Sequence, residues 1–304
     1  MNKCRDKIYL KIFGNYGVTI NFDYWMSTEK LKTFYNKEIE LTNEDNYTHA
    51  IIINMCMPKL SIPKENVIGF AHEPNPLLFG SNYYYKNVFT EYVKKHVSKY
   101  YLGDKEDLPE PFLEGQIFYI YNKTHHYHKD KTNFCSMVVS NKNNGLNYNY
   151  RHQLVDAILK TDLPIDIYGS GVKYFQHLND KRIKFPLDGT CDDFFGNTPF
   201  ENYNFHICIE NVVSNYYFSE KICNPLLSNN IPIYYGCKNI DNFFNNVIKL
   251  TGNIDSDILL LNNIFSNQET FKNYKKHDYG EILNKLNLFN HMHIFFDDIE
   301  IRET

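Results

Sequence analysis

A short apolar run, a helix-periodic segment and a second apolar run follow one another between Asn133 and Tyr168. That order leaves few folds open. FCSMVVSN, Phe134 to Asn141, reads as a buried strand ending in a Ser140–Asn141 turn. Arg151–Lys160 puts Leu154, Ile158 and Leu159 on one helical face, and Pro164–Tyr168 (PIDIY) is the next strand, closed by Gly169-Ser-Gly171. Strand–helix–strand at this spacing is a βαβ unit, which implies a parallel sheet with helices on its faces. The first third of the chain reads the same way. Lys7–Phe13 alternates, Ala50–Met55 and Val67–Ala71 are β-branched buried runs, and the turn-like His72–Pro76 (HEPNP) cannot continue the strand before it. Tyr83–Tyr101 fits helix or strand equally. The expectation is an α/β protein of two Rossmann-like domains facing a central cleft. Residues 1–128 form the first and 129–304 the second, with the option that the C-terminal helices pack back on the first.

A chain of 304 residues, 43% hydrophobic and 22% charged, can bury a sizeable core. Its net charge of -4 disfavours a general nucleic-acid partner, which would call for a basic surface. Seven cysteines are scattered without a C-x-x-C pair, as expected of reduced thiols in a cytosol-like compartment. The N-terminus shows no signal-peptide core, and no run approaches the roughly 20 apolar residues of a membrane span. A cytoplasmic protein without a membrane span is expected; the sequence is silent on oligomeric state.

The chemistry concentrates between Phe205 and Gly236. Phe205–Ile209 and Ile231–Tyr235 read as buried strands, separated by a polar loop, Glu210–Ser219, and a helix beginning near Glu220. Ligands of α/β proteins bind at strand carboxyl ends and helix N-termini, which is where Glu210, Asn211, Tyr217, Glu220 and Lys221 fall. An anionic, sugar-bearing ligand suits that set.

Other sites read as structural. Asp255-Ser-Asp257 has the D-x-D spacing of a cation site, but both stand at the start of an apolar helical run, where Asp caps free N–H groups. His125, His126 and His128 lie in a polar linker without a ligand partner at suitable spacing. Asp192–Asp193, Asp297–Asp298 and His291/His293 read the same way, so no tightly held metal is expected. There is no phosphate-binding P-loop, Gly169-Ser-Gly171 lacks the third glycine of a dinucleotide fingerprint, and no nucleophile elbow is present.

Lysine at a helix start opposes the macrodipole; a phosphate accepting from Lys221 and the helix N–H groups together would resolve that conflict. Arg151 has the same oddity at the start of its own helix. Glu73, after the VIGFA run, is a candidate general base or a plain turn carboxylate.

Taken together, these residues resemble the α1,3-fucosyltransferases of glycosyltransferase family 10. The resemblance is carried by Cys208-Ile-Glu210-Asn211, Tyr217-Phe-Ser219-Glu220-Lys221, Ile231-Pro-Ile-Tyr-Tyr-Gly236 and the upstream Phe134–Asn141 segment with its Arg151 helix. It covers roughly residues 133–250. Ile209, Ser219 and Tyr235 depart from the usual Phe, Thr and Trp, and Asn224–Asn230 lacks the usual Ala and Gly. The resemblance implies a GT-B fold and an inverting, metal-independent transfer of L-fucose from GDP-fucose to an acceptor oligosaccharide, by tendency in α1,3 linkage to GlcNAc or Glc. It implies no bound cofactor beyond the donor substrate. Arg151 and Lys221 would neutralise the diphosphate, and Asn211 and Tyr217 would also bind it. Glu220 would hold ribose or fucose hydroxyls, and Glu73 would be the base. Glu210, Ser140 and Tyr168 complete the expected donor site. The alternatives are another nucleotide-linked deoxy sugar as donor, or a non-catalytic glycan-binding protein.

Overall fold

The computed structural model describes residues 7–14, 35–80, 82–115, 118, 131–142, 147–184, 199–272 and 278–301. The chain divides into two compact units, 1–123 with 283–304 and 124–282.

In the first unit the strands are β1 (Lys7–Gly14), β2 (Glu38–Leu41), β3 (His49–Ile53), β4 (Val67–Phe70), β5 (Lys99–Leu102) and β6 (Phe112–Glu114). They form one sheet in the order β2-β1-β3-β4-β5-β6, every pair parallel. Parallel sheets need both faces covered, and the burial alternation shows how. Ile8, Leu10, Ile51, Ile68 and Phe70 pack with Leu288, Phe289, Met292 and Phe295 of the returning C-terminal segment. Ala50, Ile52, Val67 and Tyr100 pack on the other face with Phe89 and Val93. The ambiguous stretch from Tyr83 is thus a helix, Tyr83–His96, followed by strand β5. Asn82 caps the helix by accepting from Tyr85 N, and Lys94, Lys95 and His96 lie in its last turn, where the macrodipole favours cations. A five-residue helix, Asn75–Phe79, precedes it. In chain order these are α1 and α2.

In the second unit β7 (Asn133–Val138), β8 (Ile165–Tyr168), β9 (Tyr203–Ile209), β10 (Ile231–Tyr235) and β11 (Ile248–Lys249) pair in parallel in the order β11-β10-β9-β7-β8. Its helices include α3 (Tyr148–Leu159), α4 (Glu220–Leu227) and α5 (Ile254–Ser266). The two faces of this sheet differ. Cys135, Met137, Phe205, Ile207 and Ile209 form an apolar core with Leu154, Val155 and Ile158 of α3 and Leu261 and Ile264 of α5. The alternate residues Ser136, His206 and Glu210 are buried polar groups, and successive strand residues point to opposite faces. One face is apolar; the other carries these buried polar groups.

Helix α3 starts three residues earlier than its hydrophobic pattern suggests, so Arg151 sits at the end of the first turn, its N–H bonded to Asn147 O at 3.1 Å. Gly169-Ser-Gly171 is a strand-end turn. Gly169 has φ +98, and a Cβ at Gly171 would lie 2.4 Å from Ser140 O, so both glycines are required by backbone packing. After α4, Asn229 takes a left-handed φ of 58, a position where asparagine can stand in for glycine. Asp257 pins the loop before α5. Its Oδ1 accepts from Thr251 N and Oγ1, and its Oδ2 from Gly252 N and Tyr150 Oη, while Asn253 is the N-cap. Its lone pairs are engaged, which excludes the D-x-D reading for that residue. His125, His126, His128 and Asp192–Asp193 lie outside the described residues. Among the described residues no group of three or more His, Cys, Asp or Glu could hold a metal ion, and no helix is long and apolar enough to cross a membrane.

Candidate active site

A cavity of about 190 Å³ opens on the polar face of the second unit, at the carboxyl ends of β7 and β9 and the start of α4. Ser140, Arg151, Asn211, Glu220 and Lys221 line it. Five of the sequence-derived candidates therefore share one chamber.

Arg151 is 4% exposed. Its Nη2 donates to Ile209 O at 2.6 Å and Asn211 Oδ1 at 3.2 Å, and its Nη1 to Ser140 Oγ at 3.4 Å. The Tyr148 ring lies 5.5 Å from its guanidinium carbon. Burial lowers its pKa, while the carboxylates of Glu210 and Glu220 counter that shift. Arginine stays charged in any case. The loop after β9 is tied to the start of α3 as well, through Asn147 N to Asn211 O at 3.1 Å and Asn147 Nδ2 to Glu210 O at 3.1 Å.

Ser219 organises the start of α4. It is the N-cap, accepting from Lys221 N at 3.3 Å and Lys221 Nζ at 3.2 Å, and it donates to Glu210 Oε2 at 2.6 Å. Glu210 Oε1 accepts from Ser219 N at 2.8 Å. Lys221 Nζ also lies 2.8 Å from Glu220 Oε1 and 3.9 Å from Glu210 Oε2. The conflict between Lys221 and the macrodipole is thus relieved within the protein by two carboxylates. Burial alone would lower the Lys221 pKa, but Glu220 and Glu210 raise it overall. Burial would raise that of Glu220, which Lys221 holds below the ordinary value. Glu210 is the opposite case: burial dominates and pushes it up, against Lys221.

Three expected donor-site residues stand apart from the lining. Glu210 is fully buried and holds Ser219 instead of a ligand. A Cβ on Gly236 would lie 2.4 Å from Glu210 Cγ, which explains the glycine ending IPIYYG. Tyr168 bonds through its hydroxyl to Tyr203 Oη at 2.7 Å, which in turn donates to Asp166 Oδ2 at 2.6 Å. Tyr217 is 2% exposed, though its hydroxyl bears on the Arg151 charge. Glu73 belongs to the first unit. It is half-buried, in the turn between β4 and α1, where Asn54 Oδ1 accepts from His72 N at 2.9 Å and Glu73 N at 3.3 Å. His206 and Asn224, which line the cavity, were missed from sequence. Their signal was a histidine alternating with Cys208 on β9, and an amide one turn beyond Glu220 on α4.

Residues 128–257 match the family described as glycosyltransferase family 10 (fucosyltransferase), C-terminal. The chain carries a glycosyltransferase family 10 domain. That family 10 segment contains every lining residue named above. No curated protein sequence matches the chain. Among solved structures, an α1,3-fucosyltransferase with GDP-fucose is 14% identical with a TM-score of 0.52, covering 100% of this chain and 95% of its own. An α1,3-fucosyltransferase with GDP is 15% identical with a TM-score of 0.51, covering 98% and 91%. HepE of Anabaena, in complex with UDP-glucose, is 10% identical with a TM-score of 0.55, covering 94% and 98%. At these identities the likeness is one of fold, and the fold is of the GT-B type.

Proposed function

We propose that this protein transfers L-fucose from GDP-fucose to a hydroxyl of an acceptor glycan, with α1,3 linkage to GlcNAc or Glc and without a metal. The observation that carries the reading is the joint presence of Arg151 and Lys221 in one cavity of the family 10 segment. Two cations at a helix start and two strand ends suit a diphosphate, and charge-assisted bonds to phosphate contribute about 1.5–3 kcal/mol each. Lys221 is engaged by Glu220 and Glu210, so a diphosphate would compete for an ammonium already held in place.

In this mechanism the acceptor oxygen attacks the anomeric carbon of fucose from the face opposite GDP. Its proton passes to Glu73, the bond from carbon to the phosphate oxygen breaks, and GDP leaves with the electron pair. The product is inverted at that carbon. Arg151 and Lys221 stabilise the charge growing on the leaving diphosphate, the task a divalent cation performs in D-x-D enzymes. Asn211, held by Arg151, orders the loop around the same group.

Thermal unfolding with GDP, UDP and dTDP tests the donor. A ligand at 100 times its Kd stabilises by about 2.7 kcal/mol. GDP should raise the midpoint well above the other two. A larger shift with UDP or dTDP would replace GDP-fucose by another nucleotide sugar; none with any would remove the reading.

A further inference from the structure

Three successive main-chain carbonyls just beyond β7, those of Ser140, Asn141 and Lys142, are held by side chains from outside their turn. His152 Nε2 lies 3.0 Å from Ser140 O and 3.0 Å from Lys142 O, and the Tyr174 hydroxyl donates to Asn141 O at 3.0 Å. A carbonyl can only accept, so the His152 hydrogen sits on Nε2 and is shared between two oxygens. The Asn141 N–H is engaged as well, by Ser170 Oγ at 3.1 Å. The clamp is itself braced. The His152 ring meets that of Tyr174 edge to face at 5.3 Å and stacks on Phe175 at 5.9 Å.

Neither His152 nor Tyr174 lines the cavity, yet the turn they hold supplies part of its wall. Ser140 and Lys142 both line it, and Ser140 Oγ accepts from Arg151 Nη1. His152 follows Arg151 on α3, so one residue serves the cavity and the next fixes the turn beside it. The mechanism above gives Lys142 no task. Its Nζ lies 6.0 Å from the Tyr148 ring, and the Arg151 guanidinium carbon lies 5.5 Å from the same ring. Lys221 is tied to two carboxylates, whereas among the described residues no carboxylate pairs with Lys142. Two cations that share one aromatic neighbour repel each other, and an anion bound by both turns that cost into attraction. Lysine is a compact charge on a flexible stem, so fixing its main chain narrows where the ammonium can reach.

We propose that His152 is a positioning residue: by donating to the carbonyls on either side of Asn141 it directs Lys142 to the cavity, as a third cation for the phosphates of the ligand. This rests on the nucleotide-sugar reading above, which gave that charge to Arg151 and Lys221 alone.

The test is a titration of the whole protein with whichever of GDP, UDP and dTDP the wild type binds best. The variants are Lys142→Ala, His152→Phe, His152→Gln and the double variant of the first two. Lys142→Ala should weaken binding about tenfold, the worth of one charge-assisted bond at an exposed site. His152→Phe keeps the ring contacts but loses the shared N–H, and should weaken binding about fivefold. His152→Gln, whose amide can donate to both carbonyls, should restore it. Once Lys142 is alanine, His152→Phe should cause no further loss. A clamp that serves only the fold would lower the unfolding midpoint of His152→Phe and leave affinity untouched, which overturns the proposal. So does a double variant whose losses add, a glutamine that restores nothing, or Lys142→Ala with unchanged affinity. Should His152→Phe not fold, Tyr174→Phe asks the same question by removing one hydroxyl from a partly exposed ring. A loss of about threefold with Lys142 present and none without it supports the proposal; any other pattern overturns it. In all these cases the nucleotide-sugar reading stands, because the wild type binds. A wild type that binds none of the three diphosphates removes both.

Discussion

Two carboxylates occupy matching places in the two units, and the structure treats them differently. Glu210 immediately follows β9, an interior strand of the second sheet; Glu73 follows β4, an interior strand of the first. Glu210 is fully buried, both its oxygens accept from Ser219, and its side chain lies over Gly236. Glu73 is half-buried and its main chain is fixed by Asn54. Position after a strand is therefore not enough to assign a role. A carboxylate whose lone pairs hold a loop together cannot also take a proton from a substrate, so Glu210 is ruled out as the base, and the proposed mechanism gives that task to Glu73.

The largest expected effect separates the units directly. Glu73→Gln should lower turnover by roughly 10²–10⁴, the usual contribution of a general base, and leave GDP affinity unchanged. Lost GDP affinity with normal turnover would assign Glu73 to the donor and dissolve the contrast. Lys221→Ala should lower transfer by about 10²–10³, with weaker GDP binding and an intact fold by circular dichroism. Near-normal transfer would sink its assignment.

The contrast between the carboxylates also shows what the sequence could reveal. The strands around Asn133–Tyr168 and Phe205–Tyr235 are short, rich in apolar and β-branched residues, and closed by turn residues, so their type was legible. The gathering of Asn211, Glu220 and Lys221 was legible too, because strand ends and a helix start converge in a parallel sheet; Ser140 and Arg151 were joined to them only by the family resemblance. What sequence could not say was where each side chain spends its hydrogen bonds. Tyr168 stands at a strand end like Ser140, yet Tyr203 takes its hydroxyl. Glu210 is next to Asn211, yet one faces Ser219 and the other the cavity. The return of residues 283–304 to the first sheet depends on Leu288, Met292 and Phe295 finding Ile51 and Phe70. Such a long-range match has no local signature, which is why the sequence offered that return only as an option.

A smaller effect tests whether Glu210 belongs to the fold. An alanine at position 236 would place its Cβ 2.4 Å from Glu210 Cγ and 2.7 Å from the Tyr234 hydroxyl. Neither neighbour can retreat: Glu210 is anchored by Ser219, and the Tyr234 hydroxyl accepts from Cys237 N at 2.9 Å. Gly236→Ala should cost about 2–3 kcal/mol in urea unfolding, as overpacking of a dense interior does. A neutral result would mean Glu210 has room to move, and the distinction between the two carboxylates would weaken.

The smallest effect reads the polar face of the second sheet through pH. The unfolded His206 ring protonates near 6.5, whereas the folded ring stays neutral down to about 3. Between those values the unfolded state binds more protons, so folding stability falls as pH falls, by up to about 1.4 kcal/mol per unit. From pH 7 to 5 this one group removes roughly 2 kcal/mol. Burial also depresses His49 and His291 in the first unit, so the wild-type slope sums several rings. Subtracting the slope of His206→Phe isolates the second unit, and Glu220, with its pKa below the ordinary value, loses its contribution only at lower pH. Identical slopes for the two proteins would mean that the His206 ring is protonated, or reached by water, in the folded state.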